Sequence, residues 1–166
     1  MLQTEIELRV GSILTGDLDL SSKTKAALDF AKTYSLANGT DQGEADQLWF
    51  DARTIGAGLN DDLDLTGGIT NGLNQAVTFA RVKFMMVFST AANAGAIKVG
   101  GATDPFDSWL GAATDSVKVM PGGCLWLIAP DAVAYPVVPL TDDKLRIANP
   151  NASGINYEIV LVGTTV

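Results

Sequence analysis

Residues 77–90 constrain the fold of this chain most, because one run combines two hydrophobic patterns. Its first half begins as an alternating strand, with Val77, Phe79, Arg81 and Lys83 on one parity and Thr78, Ala80, Val82 and Phe84 on the other. Its second half, residues 85–88, is apolar at every position. These patterns predict a long central strand, half-solvated at its start and buried on both faces at its end. We therefore expect residues 85–88 to fill the space between two sheets. We expect Arg81 and Lys83 to stay exposed and to form a salt bridge with an acidic neighbour.

The remaining segments are short, mostly alternating in hydrophobicity, and separated by turns rich in Gly, Pro and Asn. They predict strands at residues 4–10, 17–20, 27–34, 45–55, 63–65, 96–99, 115–120, 124–129, 133–138, 144–149 and 155–163. Residues 21–36 also fit a capped helical turn, but the alternation of Leu28 and Phe30 favours a strand. Residues 124–129 are apolar throughout, so we expect Cys124 to be a small buried hydrophobe.

This spacing of strands predicts an all-β fold, an antiparallel β-sandwich or jelly roll of about 8–10 strands. We assign residues 1–22 to an N-terminal strand or arm and residues 23–166 to a single jelly-roll domain. The chain has 166 residues, which is long enough to bury a core without disulfides or metals.

Composition excludes several classes of function. The 11 Lys and Arg residues and the net charge of −8 argue against nucleic-acid binding, which needs clustered cations. The longest apolar runs are five or six residues, against the roughly 20 of a membrane span, and residues 1–5 do not resemble a signal peptide. The chain has no histidine, which removes His-based catalytic triads and His-ligated metal sites. It also has no phosphate-binding glycine motif. We therefore expect a non-enzymatic protein with no cofactor, no nucleic acid and no membrane among its partners.

The densest acidic cluster is formed by Asp61, Asp62 and Asp64. Their spacing resembles the opening of an EF-hand loop, but Leu73 stands where that loop needs a bidentate glutamate. A looser Ca²⁺ site formed by the three aspartates stays open, against the simpler interpretation of a solvated turn before a strand.

A second group of candidates is aromatic. Phe106 and Trp109 lie in a predicted loop, where they either plug the open end of a sandwich or form an apolar contact patch for a partner. Trp49 or Trp109 could stack on a sugar if the chain is a carbohydrate-binding β-sandwich. Asp46, Asp51 and Glu44 could pair for glycoside hydrolysis, but sequence spacing does not bring them together.

Three passages together resemble a known family: residues 36–54, residues 61–83, and residues 145–163 with their Tyr157-Glu158-Ile159-Val160-Leu161 run. They are similar to small virion structural proteins of tailed bacteriophages, of the jelly-roll type that decorates or cements the capsid shell. The resemblance implies a homotrimer on the outer capsid surface of the virion, assembled in the bacterial host cytoplasm and bound to the phage major capsid protein. Similar modules occur in phage tails and fibres, so a host-receptor-binding tail or fibre component is the alternative. The resemblance assigns no individual contact residues.

Residues 1–22 fall outside the resembling region and offer an interface of their own. Ile6, Leu8 and Val10 alternate with charged residues, which is typical of an edge strand. This strand could add to a sheet of a neighbouring subunit or of the shell. The candidate partner interface is therefore Ile6, Leu8 and Val10, together with Phe106 and Trp109.

Overall fold

The computed structural model describes residues 1–17 and 23–166, and this part of the chain is all β. It contains fourteen strands. They are β1 (Thr4–Asp17), β2 (Lys23–Asn38), β3 (Glu44–Ala45), β4 (Gln47–Ile55), β5 (Asn60–Asp64), β6 (Thr66–Thr70), β7 (Ala76–Thr78), β8 (Arg81–Ser89), β9 (Ile97–Gly100), β10 (Ser116–Val119), β11 (Cys124–Ile128), β12 (Tyr135–Pro136), β13 (Lys144–Ala148) and β14 (Ile155–Thr164). This number exceeds the expected 8–10, in part because β3, β7 and β12 are pieces of two or three residues.

Two antiparallel sheets form the sandwich. One has the order β11-β8-β14-β4, with the short β12 also paired to β8, and the other has the order β10-β9-β13-β5. On the strands of both sheets, every second side chain points inward, and these side chains form one shared core. For example, Tyr157, Ile159 and Leu161 of β14 are buried with Leu145 and Ile147 of β13. The predicted antiparallel β-sandwich is therefore confirmed.

A long hairpin extends from this sandwich. β1 and β2 pair in an unbroken antiparallel register from Thr4 opposite Leu36 to Asp17 opposite Lys23, and the two-residue β3 joins β2 at its base. The strand expected at residues 27–34 is confirmed within β2. The arm is therefore a two-stranded hairpin rather than the single N-terminal strand that we expected. The boundary after residue 22, and most of the strand expected at residues 17–20, lie outside the described residues.

The expected central strand is interrupted. It is two strands, β7 and β8, because the chain moves from the small β6-β7 hairpin into the five-stranded sheet at Phe79 and Ala80. There the amide of Phe79 donates to the carbonyl of Leu65, and the amide of Ala80 donates to that of Thr164. The register of β14 against β8 shifts beside this point, at Gly163, where a Cβ atom would lie 2.0 Å from the carbonyl oxygen of Arg81. Only glycine fits this close approach of two strands.

The two cations of this segment differ from the prediction. Lys83 is fully buried, and its ammonium donates to the carbonyl oxygen of Asp41. Arg81 is partly exposed and donates to the main-chain oxygen of Val166. The expectation of an exposed Lys83 was wrong because the loop after β2 folds over this end of β8.

Residues 85–88 divide between two environments. Met85 and Val87 point into the core, whereas Met86 and Phe88 lie on the outer face and are only half-buried. Only half of this run therefore fills the space between the sheets.

Candidate interaction surfaces

The arm has one apolar face and one polar face. Directly opposite residues of an antiparallel pair lie on the same face, and Val10 stands opposite Phe30. Alternation then places on one face Ile6, Leu8, Val10, Leu14, Ala26, Leu28, Phe30 and Tyr34. The other face carries Glu5, Glu7, Arg9, Asp29 and Thr33, with an exposed salt bridge of 3.3 Å between Arg9 and Asp29. The arm is therefore amphipathic near its base, whereas farther out Ile13 and its partner Ala27 place apolar residues on the polar face as well.

Only the base of the apolar arm face is covered. Ile6 and Leu36 are buried there in a cluster with Ala45, Phe84 and Val162, the last two lying on the outer face of the five-stranded sheet. Beyond the base, residues 7–16 and 23–33 are all exposed. Val10 keeps 44% of its surface accessible and Phe30 keeps 42%. Of the predicted contact residues, Leu8 and Val10 are thus accessible, whereas Ile6 anchors the arm to its own sheet.

The outer face of the five-stranded sheet carries apolar rows that run across the strands. One row joins Leu48, Val162, Phe84 and Ile128, which are register partners from β4 to β11. The arm base covers the middle of this first row, where Phe84 and Val162 are buried. The ring of Phe84 also meets that of Trp126 edge-on, with centroids 5.7 Å apart.

The neighbouring row on the same face is covered only in part, because its two central residues pack against the arm-base cluster. It joins Phe50, Val160, Met86 and Trp126, again as direct register partners, and we call it the open row. Phe50 is 63% exposed and Trp126 is 38% exposed, with Met86 and Val160 half-buried between them. A shallow cleft of about 320 Å³ lies beside Phe50, Met86 and Val160. The open row is an apolar surface of a kind that marks contact sites.

Cys124 also lies on this outer face. It is exposed rather than buried, because it has the same parity on β11 as Trp126. Its partial burial raises the pKa of the thiol above its ordinary value. The expectation of a buried Cys124 was wrong since β11 buries one face, not two: Leu125 and Leu127 pack on the core.

The three aspartates of the acidic cluster do not converge on one point. Asp61 accepts hydrogen bonds from Arg53 Nε at 2.6 Å and Tyr157 Oη at 2.8 Å. Asp62 is bound by Arg146 through both carboxylate oxygens, at 2.6 and 2.7 Å, as its direct partner across β5 and β13.

Asp64 is likewise opposite Lys144, whose ammonium lies 2.6 Å from its Oδ2 and holds the pKa of this carboxyl below its ordinary value. Each carboxylate of the cluster is thus neutralised by its own cation. Within residues 1–17 and 23–166, no group of three or more His, Cys, Asp or Glu side chains is arranged to hold a metal ion. The candidate Ca²⁺ site at Asp61, Asp62 and Asp64 is therefore not assembled.

The aromatic loop residues pack inward. Phe106 is buried in the main core, and Trp109 lies half-buried against that core, with its Nε1 donating to the carbonyl oxygen of Phe106 at 2.9 Å. The sequence allowed two interpretations, a plug for the open end of the sandwich and an exposed contact patch. The observed packing agrees with the plug. Phe106 is therefore not a surface that a partner can touch.

The residues considered for carbohydrate chemistry have structural contacts. Trp49 is 2% exposed, and its Nε1 donates to the carbonyl oxygen of Thr70 at 2.9 Å. Asp46 accepts hydrogen bonds from Thr165, Asp51 pairs with Arg53, and Glu44 accepts from the amide of Asp41. A small polar pocket of about 200 Å³ lies beside Trp49 and Asp51. The Trp49 ring that lines this pocket belongs to the core, so it offers no exposed face on which a sugar could stack.

Comparison with known proteins adds no family: no family model matches the chain, and no curated protein matches it. Among the described residues, no helix has the length and apolar character needed to cross a membrane. The surface that sequence reasoning missed is the open row. Its signal was present in β14, where Val160 and Val162 make the outward parity apolar as well as the inward one.

Proposed function

We propose that this chain is a non-enzymatic structural protein of a tailed-bacteriophage virion, a capsid decoration or cement protein with a jelly-roll sandwich. In this proposal it assembles in the bacterial host cytoplasm, forms a homotrimer and binds the major capsid protein on the outer capsid surface. It stabilises the shell by bridging capsomers, and many weak symmetric contacts supply the avidity. The basis for the family is the sequence resemblance described above.

One structural observation supports an assembly role more than any other. The sandwich leaves two apolar surfaces accessible, the outer part of the arm face and the two ends of the open row on the five-stranded sheet. Large exposed apolar patches on a folded protein mark surfaces that a partner covers. The carboxylates that we considered for catalysis, Glu44, Asp46 and Asp51, are engaged in an ion pair and structural hydrogen bonds. These features are typical of a subunit whose surface is completed on assembly.

Cryo-electron microscopy of the virion whose genome encodes this chain tests the proposal. We expect density fitting the sandwich and its arm at the junctions between capsomers. Particles lacking the chain should release their DNA at a lower temperature than complete particles, and adding back the purified protein should restore resistance. The absence of matching density on the shell would overturn the capsid proposal.

A tail or fibre component is the second candidate, because the long projecting arm would equally suit packing against a neighbouring ring of a tail. Separating shells from tails distinguishes the two. A decoration protein leaves with the shell fraction, whereas a tail protein stays with isolated tails, and its removal lowers adsorption to the host. The carbohydrate-binding alternative is weaker, because Trp49 is buried. Intrinsic tryptophan fluorescence unchanged across a glycan panel would count further against it.

A further inference from the structure

We infer that the exposed apolar face of the arm of one copy docks on the open row of a second copy. The donor surface is the arm face beyond its base, chiefly Val10, Leu28 and Phe30. The acceptor surface is the row Phe50–Val160–Met86–Trp126 on the outer face of the five-stranded sheet. This inference concerns copies of the chain in solution, so it stands or falls independently of where the protein sits in a virion.

The proposed contact continues one that the chain already makes within a single copy. Ile6, at the base of the apolar arm face, packs on Phe84 and Val162 of the first outer row. Val10 and Phe30 lie farther along the same arm face, and Met86 and Val160 lie in the next row of the same sheet face. The inferred contact between copies therefore repeats the chemistry of the contact within one copy: aliphatic and aromatic arm residues on an apolar sheet row.

One copy covers only the centre of its own open row, where Met86 and Val160 pack against the arm base. Arm residues 7–16 and 23–33 are all exposed, and Phe50 and Trp126 are exposed at the two ends of the row. Each copy thus has one unsatisfied donor face and one unsatisfied acceptor face. A contact between two different patches is heterologous, and such contacts close into a ring when the rotation permits. A trimeric ring would saturate both faces in every copy.

Size and charge also match. Strands rise about 3.3 Å per residue, so the arm face from Leu8 to Leu14 spans roughly 20 Å, while the open row crosses three inter-strand spacings, or about 14 Å. Lys32 stands opposite Leu8 on the apolar arm face. It is the one charged residue on that face in the stretch of β1 from Ile6 to Leu14 and in the part of β2 paired with it. Glu158 lies on the outer face of β14, next to Val160, and is exposed. An arm lying on the open row can therefore pair Lys32 with Glu158 at its edge.

The first experiment disables each face separately and measures mass by sedimentation. The donor variant is V10K/F30E, which places a cross-strand ion pair where two apolar residues face each other, so the hairpin stays paired. The acceptor variant is F50E, at a position that is 63% exposed. Wild-type protein should form a closed oligomer at tens of micromolar. Each variant should raise the dissociation constant on the order of a hundredfold, given the apolar surface it removes.

The control for the donor variant is A31E, on the polar face of the same arm, directly opposite Arg9. It should leave the oligomer unchanged. Circular dichroism and thermal unfolding should show that V10K/F30E and F50E keep the wild-type sandwich, because neither site contributes to the buried core.

The second experiment mixes the two disabled variants. V10K/F30E keeps an intact acceptor and F50E keeps an intact donor, so an equal mixture should form one-to-one heterodimers and nothing larger. A disulfide can trap the contact between copies. One variant carries F30C and the other F50C, both in a C124S background, and we expect a disulfide between them on oxidation. A31C replaces F30C in the control pair, which should form no such disulfide. The two populations are purified separately, so this disulfide can only join different copies.

Three results would overturn the inference. Wild-type protein that sediments as a monomer at 100 µM would show that copies do not recognise one another. An oligomer that survives V10K/F30E, or a mixture of variants that forms no heterodimer, would show that the faces do not meet. Disulfides between F30C copies in place of the mixed species would show that arms pair with arms.

Discussion

The hydroxyl of Tyr157 donates a hydrogen bond of 2.8 Å to Asp61 and so ties the two sheets of the sandwich together. Tyr157 lies on β14 and is fully buried, whereas Asp61 lies on β5 of the facing sheet. Arg53 holds the same carboxylate through its Nε at 2.6 Å. Burial and the Asp61 charge raise the pKa of Tyr157 above its ordinary value, which favours the protonated hydroxyl that donates this hydrogen bond. The buried hydroxyl of Tyr157 thus has a hydrogen-bond acceptor in the Asp61 carboxylate, and Arg53 neutralises the charge of that carboxylate.

Removing this hydroxyl should weaken the sandwich. We expect Y157F to lower the free energy of unfolding by about 2 kcal/mol, because a buried hydrogen bond to a charged group is lost. Urea unfolding measures it. D51N is the matched control, since Asp51 also binds Arg53 but has 43% of its side chain exposed, and should cost less than about 1 kcal/mol. Equal effects of Y157F and D51N would contradict a role for Tyr157 in joining the sheets.

Acid should remove the contribution of the Lys144–Asp64 pair. The hydrogen bond from Lys144 lowers the pKa of Asp64 in the folded protein below its ordinary 3.8. The ion pair therefore contributes fully to stability above pH 3.8, and this contribution is lost as the pH falls through the lowered pKa of the folded protein. The difference in urea midpoint between wild type and D64N should therefore be largest at pH 7 and shrink below pH 3.8. E7Q, on the exposed arm, serves as control. A difference that stays constant down to pH 2 would refute the linkage.

Asn149 should be among the costliest polar side chains to remove. It is buried, and its amide nitrogen lies 2.8 to 3.1 Å from the carbonyl oxygens of Ile55, Gly56 and Ser153. N149A leaves these acceptors without their donor, and we expect a loss of about 3 kcal/mol in urea unfolding. T54A, which removes an exposed hydroxyl, should change stability by less than about 0.5 kcal/mol. A similarly small effect of N149A would mean that water replaces the amide.

Lys83 should matter more for its volume than for its charge. Its side chain fills a buried site, and burial lowers the pKa of the ammonium because the charged form is desolvated. K83A should cost about 3 kcal/mol through the cavity it leaves. K83M keeps the volume and removes a buried charge, so it should cost less than about 1.5 kcal/mol. If K83M is as damaging as K83A, the hydrogen bond to the Asp41 carbonyl is what holds the loop after β2.

Much of the sandwich could be predicted from local pattern. Alternation in residues 144–149 and 155–163 identified β13 and β14, because a strand with one buried face repeats every two residues. The same rule failed at residues 124–129, where an apolar residue at every position indicated burial on both faces. Cys124 and Trp126 are exposed instead, since on that side of β11 the arm base packs only near Ile128.

The candidate sites were less predictable than the strands. The sequence placed Asp61, Asp62 and Asp64 close together, but it did not show that Arg53, Arg146 and Lys144 reach them from other strands. Phe106 and Trp109 allowed two interpretations, and the depth of packing distinguished them. A pairing between residues 80 or more positions apart depends on register, which no short segment encodes.

The sequence by itself determined that this chain is an all-β protein made of short, mostly alternating strands separated by turns. Those properties follow from the two-residue period of a strand and from turn residues, which act locally. The tertiary structure alone decided that β2 runs back along β1 as an arm, that Lys83 is buried, and that the ends of the open row stay exposed. These depend on which faces of distant strands meet, and that is set by packing across the whole fold.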